Sequence, residues 1–145
     1  MPPPQHIINP LTGELTQPGN LLLGKTTTLD DILKLYPADE LSITDVQSGW
    51  VNYTVRNVKL QGKYFNFTFM FLDAVLKMIG LGFTDQPVTN PSWGNWSEDA
   101  ELQRTVDYNN WLNNEVGFGR IFAWGTISAI YDTKSGAAGI TLKYN

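Results

Sequence analysis

The chain has no cysteine and a single histidine, His6. Without thiols there are no disulfides, no thiolate zinc or iron–sulfur sites and no cysteine nucleophile. With its one imidazole in a proline-rich opening segment, no Ser-His-Asp centre on a rigid scaffold is expected. Calcium-loop spacing of Asp and Asn with a closing Glu is also missing. Gly80 and Gly82 end a strand pattern, and Gly117 and Gly119 end a helical one. Neither pair sits where a strand opens into a phosphate-cradling helix. No window approaches the ~20 apolar residues of a membrane span, and the first residues carry neither a basic cluster nor an apolar run of signal-peptide length. Basic residues are the minority, 10 against 14 acids for a net charge of −4, which repels phosphate backbones. These absences lead to the expectation of a cytoplasmic, non-enzymatic protein without cofactor, metal, nucleic-acid or membrane partner. Paired carboxylates of the glycosidase kind are the catalytic arrangement that composition leaves open.

What is present is core material. The 145 residues are 42% hydrophobic and include five Trp, six Tyr and seven Phe, enough for one self-sufficient domain. The first 27 residues, broken at Asn9-Pro10, Thr12-Gly13 and Pro18-Gly19, read as an extended arm, and residues 28–145 as a single domain. Thr28 caps a short predicted helix through Tyr36, with Asp30 and Asp31 in its first turn and Pro37 as its stop. From Trp50 the period becomes two. Phe65, Phe67, Phe69 and Phe71 share one face of a strand, with Asn66 and Thr68 on the other. Strands near 50–60 and 75–81 flank it in a meander.

Ser97 is the predicted N-cap of a second helix, with Glu98 and Asp99 at its positive end, a stripe of Leu102, Val106, Leu112 and Val116, and Gly117 as its stop. A final hairpin is read from residues 120–131 and 138–144 across the turn formers 132–136. The sum is an α+β fold: one antiparallel sheet of about five strands with two helices on one face, in the order helix, three-strand meander, helix, hairpin.

Two features stand out as binding candidates. Residues 30–45 hold Asp30, Asp31, Asp39, Glu40 and Asp45 against Lys34 alone, a negative surface suited to steering a basic protein partner. Glu98, Asp99 and Glu101 extend the set. The loop around Trp93 and Trp96 offers paired indoles for anchoring a protein or stacking on a small molecule or sugar. Trp111 and Trp124 fall on a helix and a strand and read as core.

The strings Phe71-Leu72-Asp73-Ala74-Val75-Leu76, Trp93-Gly94-Asn95-Trp96-Ser97-Glu98, Trp111-Leu112 and Trp124-Gly125-Thr126-Ile127-Ser128-Ala129-Ile130-Tyr131-Asp132-Thr133-Lys134-Ser135-Gly136 resemble those of small uncharacterised bacterial cytoplasmic proteins loosely associated with polymorphic-toxin immunity proteins. The similarity runs over about residues 50–145, with Ala74 where such a turn more usually has glycine. It implies a protein that neutralises a cognate toxin domain by binding it.

Overall fold

A computed structural model describes residues 6–87, 97–133 and 137–145. The sheet is larger than the alternation predicted. Seven strands pair antiparallel in the order β3-β4-β5-β6-β9-β8-β7: β3 Ser42–Gln47, β4 Trp50–Leu60, β5 Lys63–Leu72, β6 Val75–Thr84, β7 Ile121–Phe122, β8 Gly125–Asp132 and β9 Ala137–Tyr144. A separate two-stranded sheet joins β1 Leu15–Gln17 to β2 Leu21–Leu23. The expectation of a single five-stranded sheet is therefore wrong; the described residues are mostly sheet, with two α-helices among them, α1 Leu29–Leu35 and α2 Glu98–Val116.

The extra strands have physical reasons for having escaped notice. Every residue of β3 is exposed, so it carries no buried apolar row. Residues 120–131 form two strands, because Phe122 pairs directly with Gly125 across a tight reversal. A Cβ on Gly125 would stand 1.9 Å from the Lys143 carbonyl oxygen, so only glycine lets the chain turn there. The turn residues 134–136 lie outside the described residues, but β8 and β9 pair from Gly125↔Tyr144 to Asp132↔Ala137.

The core sits on one face of the sheet. Phe65, Phe67 and Phe69 are wholly buried and Phe71 nearly so, their rings stacking along β5 at 5.8 and 6.2 Å. Helix α1 covers this face through Ile32 and, at its end, Tyr36, which stacks on Phe69. Helix α2 covers it through Tyr108, Trp111 and Leu112, with Trp111 against Phe65 and Phe83. The predicted stripe on α2 is corrected in its first half: Leu102 and Val106 face outward, and Tyr108, Leu112 and Glu115 face in.

Both helix starts are made by local chemistry. Thr28 Oγ1 accepts the Asp31 N–H and Asp31 Oδ2 accepts the Thr28 N–H, a complete capping box. Ser97 Oγ accepts the Ala100 N–H at 3.3 Å. Ser97→Ala is expected to lower stability by about 1 kcal/mol in urea unfolding, because the amide of the first turn loses its acceptor. At the β5–β6 reversal Asp73 and Ala74 both have positive φ, 49° and 69°. Ala74→Gly relieves a left-handed alanine and should raise stability by about 0.5–1 kcal/mol, read as a higher urea midpoint at unchanged slope.

The first residues are woven into the body. Ile7, Ile8, Leu15 and Leu23 join the core. The Glu115 carboxylate, buried at the end of α2, accepts the Ile7 and Ile8 N–H groups at 2.5 and 3.0 Å and lies 3.3 Å from His6 Nδ1. Trp124 Nε1 donates to the Pro10 carbonyl, and the Tyr144 hydroxyl donates to that of Gly13. Tyr36 donates to Gln17 Oε1. Burial pushes the Tyr36 and Tyr144 hydroxyls above the usual phenol range, so both remain donors.

The opposite sheet face bears no described helix. Alternation and register place Asn52, Thr54, Thr68, Met70, Gly80, Ser128 and Thr141 on it, with the Met70 methyl lying over Gly80. Arg56, Lys59 and Lys143 also lie there, with Asp132 at its margin. Both helices and the turn after α1 carry clustered acids. Among the described residues no helix is long and apolar enough to cross a membrane.

Candidate functional site

The acids of residues 30–45 follow one continuous path into the β3 edge of the sheet. Asp30 and Asp31 stand exposed on the first turn of α1, where the helix dipole favours them. Hydrogen bonds from Thr28, backbone first and hydroxyl second, hold the Asp31 carboxyl below its usual range, so Asp31 serves the cap. Asp39 and Glu40 lie on the exposed 3-10 turn Ala38–Glu40 that leads into β3. Asp45 lies on β3, where its Oδ1 accepts the Gln47 N–H at the bulge between Asp45 and Gln47. None of these five acids forms an ion pair within 4 Å among the described residues.

Glu98, Asp99 and Glu101 do not extend this surface. They start α2, and Glu101 reaches β9, where Oε2 accepts the Ala138 N–H at 2.9 Å and Oε1 pairs with Arg104. Four strand spacings separate β9 from β3, about 19 Å at 4.8 Å each. Glu101 is thus a structural tie, and the two acidic groups address different ends of the sheet. Trp93 and Trp96 lie outside the described residues.

Apolar side chains stand among the β3 acids. Ile43 is 54% exposed and Val46 52%, on a strand whose outer edge meets no other described strand. Composition hid them, because two apolar residues in a polar segment are ordinary until the strand is placed at an edge. A second exposed apolar set, Leu11, Phe118 and Ile121, was also missed. Phe118 lies between Gly117 and Gly119 just past α2, and Ile121 is on β7.

A cleft of 320 Å³ opens between the end of β6 and α2, lined by Phe83, Asp85, Arg104, Asp107 and Tyr108 among others. Two of its polar groups are already engaged: Arg104 pairs with Glu101 within α2, and the Tyr108 hydroxyl accepts the Phe83 N–H at 3.2 Å, tying α2 to the sheet. Burial chiefly raises the Tyr108 hydroxyl above its ordinary value. Among the described residues, no three side chains of His, Asp or Glu converge as a metal site. Along β3 the structure thus brings together a carboxylate without an ion pair, exposed aliphatic side chains and an edge that meets no other described strand.

No family model, no curated protein and no solved structure matches the chain.

Proposed function

We propose that this chain is an immunity-type, non-enzymatic protein that binds and neutralises a basic toxin domain. The observation that carries the reading is the set of exposed carboxylates at Asp39, Glu40 and Asp45, none ion-paired among the described residues, on and just before an exposed strand. Carboxylates in this state keep their full field for a partner, and the field acts before contact. The resemblance of residues 50–145 to small bacterial proteins associated with toxin-immunity proteins favours a toxin domain as the class of partner.

The test is a binding measurement between the purified protein and the product of the adjacent gene, at low and high salt, with cell survival during toxin expression as the biological readout. Combined reversal of Asp39, Glu40 and Asp45 to lysine is expected to slow association at least about tenfold at low salt and to change dissociation less. The difference should shrink as salt rises, because charges are screened beyond about 8 Å at physiological ionic strength. A complex that fails to form, with cells dying regardless, overturns the reading.

A further inference from the structure

The two edges of the seven-stranded sheet are treated differently. At the β7 side the chain closes its own edge. The Ile127 N–H donates to the Arg120 carbonyl at 3.0 Å, and Asn109 on α2 donates its side-chain amide to the Ala129 carbonyl at 3.2 Å. Arg120 in turn is held to α2 by Asn109 and Asn113. Strand β7 itself is two residues long. Arg120 and helix α2 thus engage two of the backbone groups that a foreign strand would use.

At the β3 side nothing comparable is present among the described residues. Strand β3 pairs with β4 on one side, from Ser42↔Thr54 to Gln47↔Trp50, and its other side faces outward. Six residues at ~3.4 Å each give about 20 Å of edge. Sheet proteins blunt such edges with proline, lysine, bulges or a covering element. Here there is neither proline nor lysine, and the defences are one bulge and the charge of Asp45. That charge selects rather than blocks, since it admits a strand of opposite sign.

We propose that β3 is a strand-addition edge that receives an extended basic segment of the partner. The inference rests on the protein-binding reading above and specifies its geometry. Register places Ile43 and Asp45 on the helical side of the sheet, with Tyr53 and Val51, and Ser42 and Thr44 on the other side. An added strand gains its backbone hydrogen bonds from β3, packs an apolar residue beside Ile43 and sets a cation beside Asp45. Asp45 keeps one carboxylate oxygen for that cation, since Oδ1 is engaged by Gln47. Asp39 and Glu40, at the head of the strand, favour further positive charge there. A second copy of the chain is a poor occupant: each carries a net charge of −4, and β3 against β3 would bring two sets of the same acids together.

The test uses as probe a heptapeptide with lysine at positions 2 and 6, valine at position 4 and threonine at the odd positions, which sets valine and lysine on one face as Ile43 and Asp45 require. It is called the lysine–valine peptide, its glutamate–valine counterpart has glutamate for lysine, and the whole chain is ¹⁵N-labelled. Chemical-shift changes and slowed amide exchange are expected at Ser42–Gln47 and the facing residues of β4. Asp45→Lys, at an exposed site, should weaken peptide binding at least about tenfold. A glutamate–valine heptapeptide should not bind. The lysine–valine peptide with every backbone amide N-methylated keeps its charge but loses its donors, and should bind at least tenfold more weakly. Equal binding of the methylated peptide would reduce the contact to charge attraction and overturn strand addition. Changes centred on the open sheet face, on α2 or nowhere would overturn it as well. Neither result touches the toxin-binding reading, which stands or falls on the complex with the adjacent gene product.

Discussion

Phe67→Ala is expected to cost about 3–5 kcal/mol, the range of large-to-small changes in packed cores. Phe67 is 0% exposed and lies between the rings of Phe65 and Phe69, with Val55 and Leu81 opposite it on the neighbouring strands. Its neighbours cannot all close over the gap, because their backbones are fixed by ladders on both sides of β5. For a domain of this length the loss corresponds to a fall of about 6–20 °C in Tm. The adjacent Thr68 points the other way and shares one hydrogen bond, 3.0 Å, with Thr54. Thr68→Ala should therefore cost about 1 kcal/mol. Urea and thermal unfolding of the two variants check the pair. Similar costs for both would mean that the Phe row does not form the core.

Glu115→Ala is the second large effect. Removing the carboxylate leaves the Ile7 and Ile8 N–H groups buried without an acceptor, at about 1–3 kcal/mol each. The expected loss is about 2–6 kcal/mol, accompanied by faster amide exchange at Ile7 and Ile8. Glu115→Gln retains an oxygen at the same place and should recover more than half of the loss. The two substitutions separate acceptor chemistry from charge: equal losses would assign the role to the charge and its neighbour His6 rather than to the two amides.

The elements legible in the sequence were those written in neighbouring residues. The Phe65 to Phe71 alternation, the Thr28 and Ser97 caps and the Pro37 and Gly117 stops each depend on a few positions in a row, and each stands where expected. What escaped depends on distant partners. Strand β3 buries nothing, so only its ladder with β4 defines it. Gly125 marks a reversal because of Lys143, 18 positions later in the chain. Ile7 and Ile8 are core residues because Glu115 and the sheet come to them, although the segment around them is full of breakers. The outward turn of Leu102 and Val106 follows from Tyr108 and Leu112 setting the buried face of α2.

The candidate site divides in the same way. A count of charges finds the acids of residues 30–45, whereas their separation from Glu98, Asp99 and Glu101 is a property of strand order. The sheet places β9 between β6 and β8, so the start of α2 is carried to the far side from β3. No local pattern encodes that crossover.

The Glu115 contact also sets a schedule for synthesis. Ile7 emerges 108 residues before the carboxylate that receives it. At about 5–20 residues per second, that interval is roughly 5–20 s. Trp124 and Tyr144, which hold Pro10 and Gly13, arrive later still. During that time the apolar side chains of Ile7, Ile8 and Leu15 have no core to enter, and β4, β5 and β6 can pair with one another first. The beginning of the chain is thus among the last parts to be secured. Ribosome-bound chains halted before Glu115 should remain open to proteolysis ahead of Thr28, and chains in which Tyr144 has emerged should be closed there.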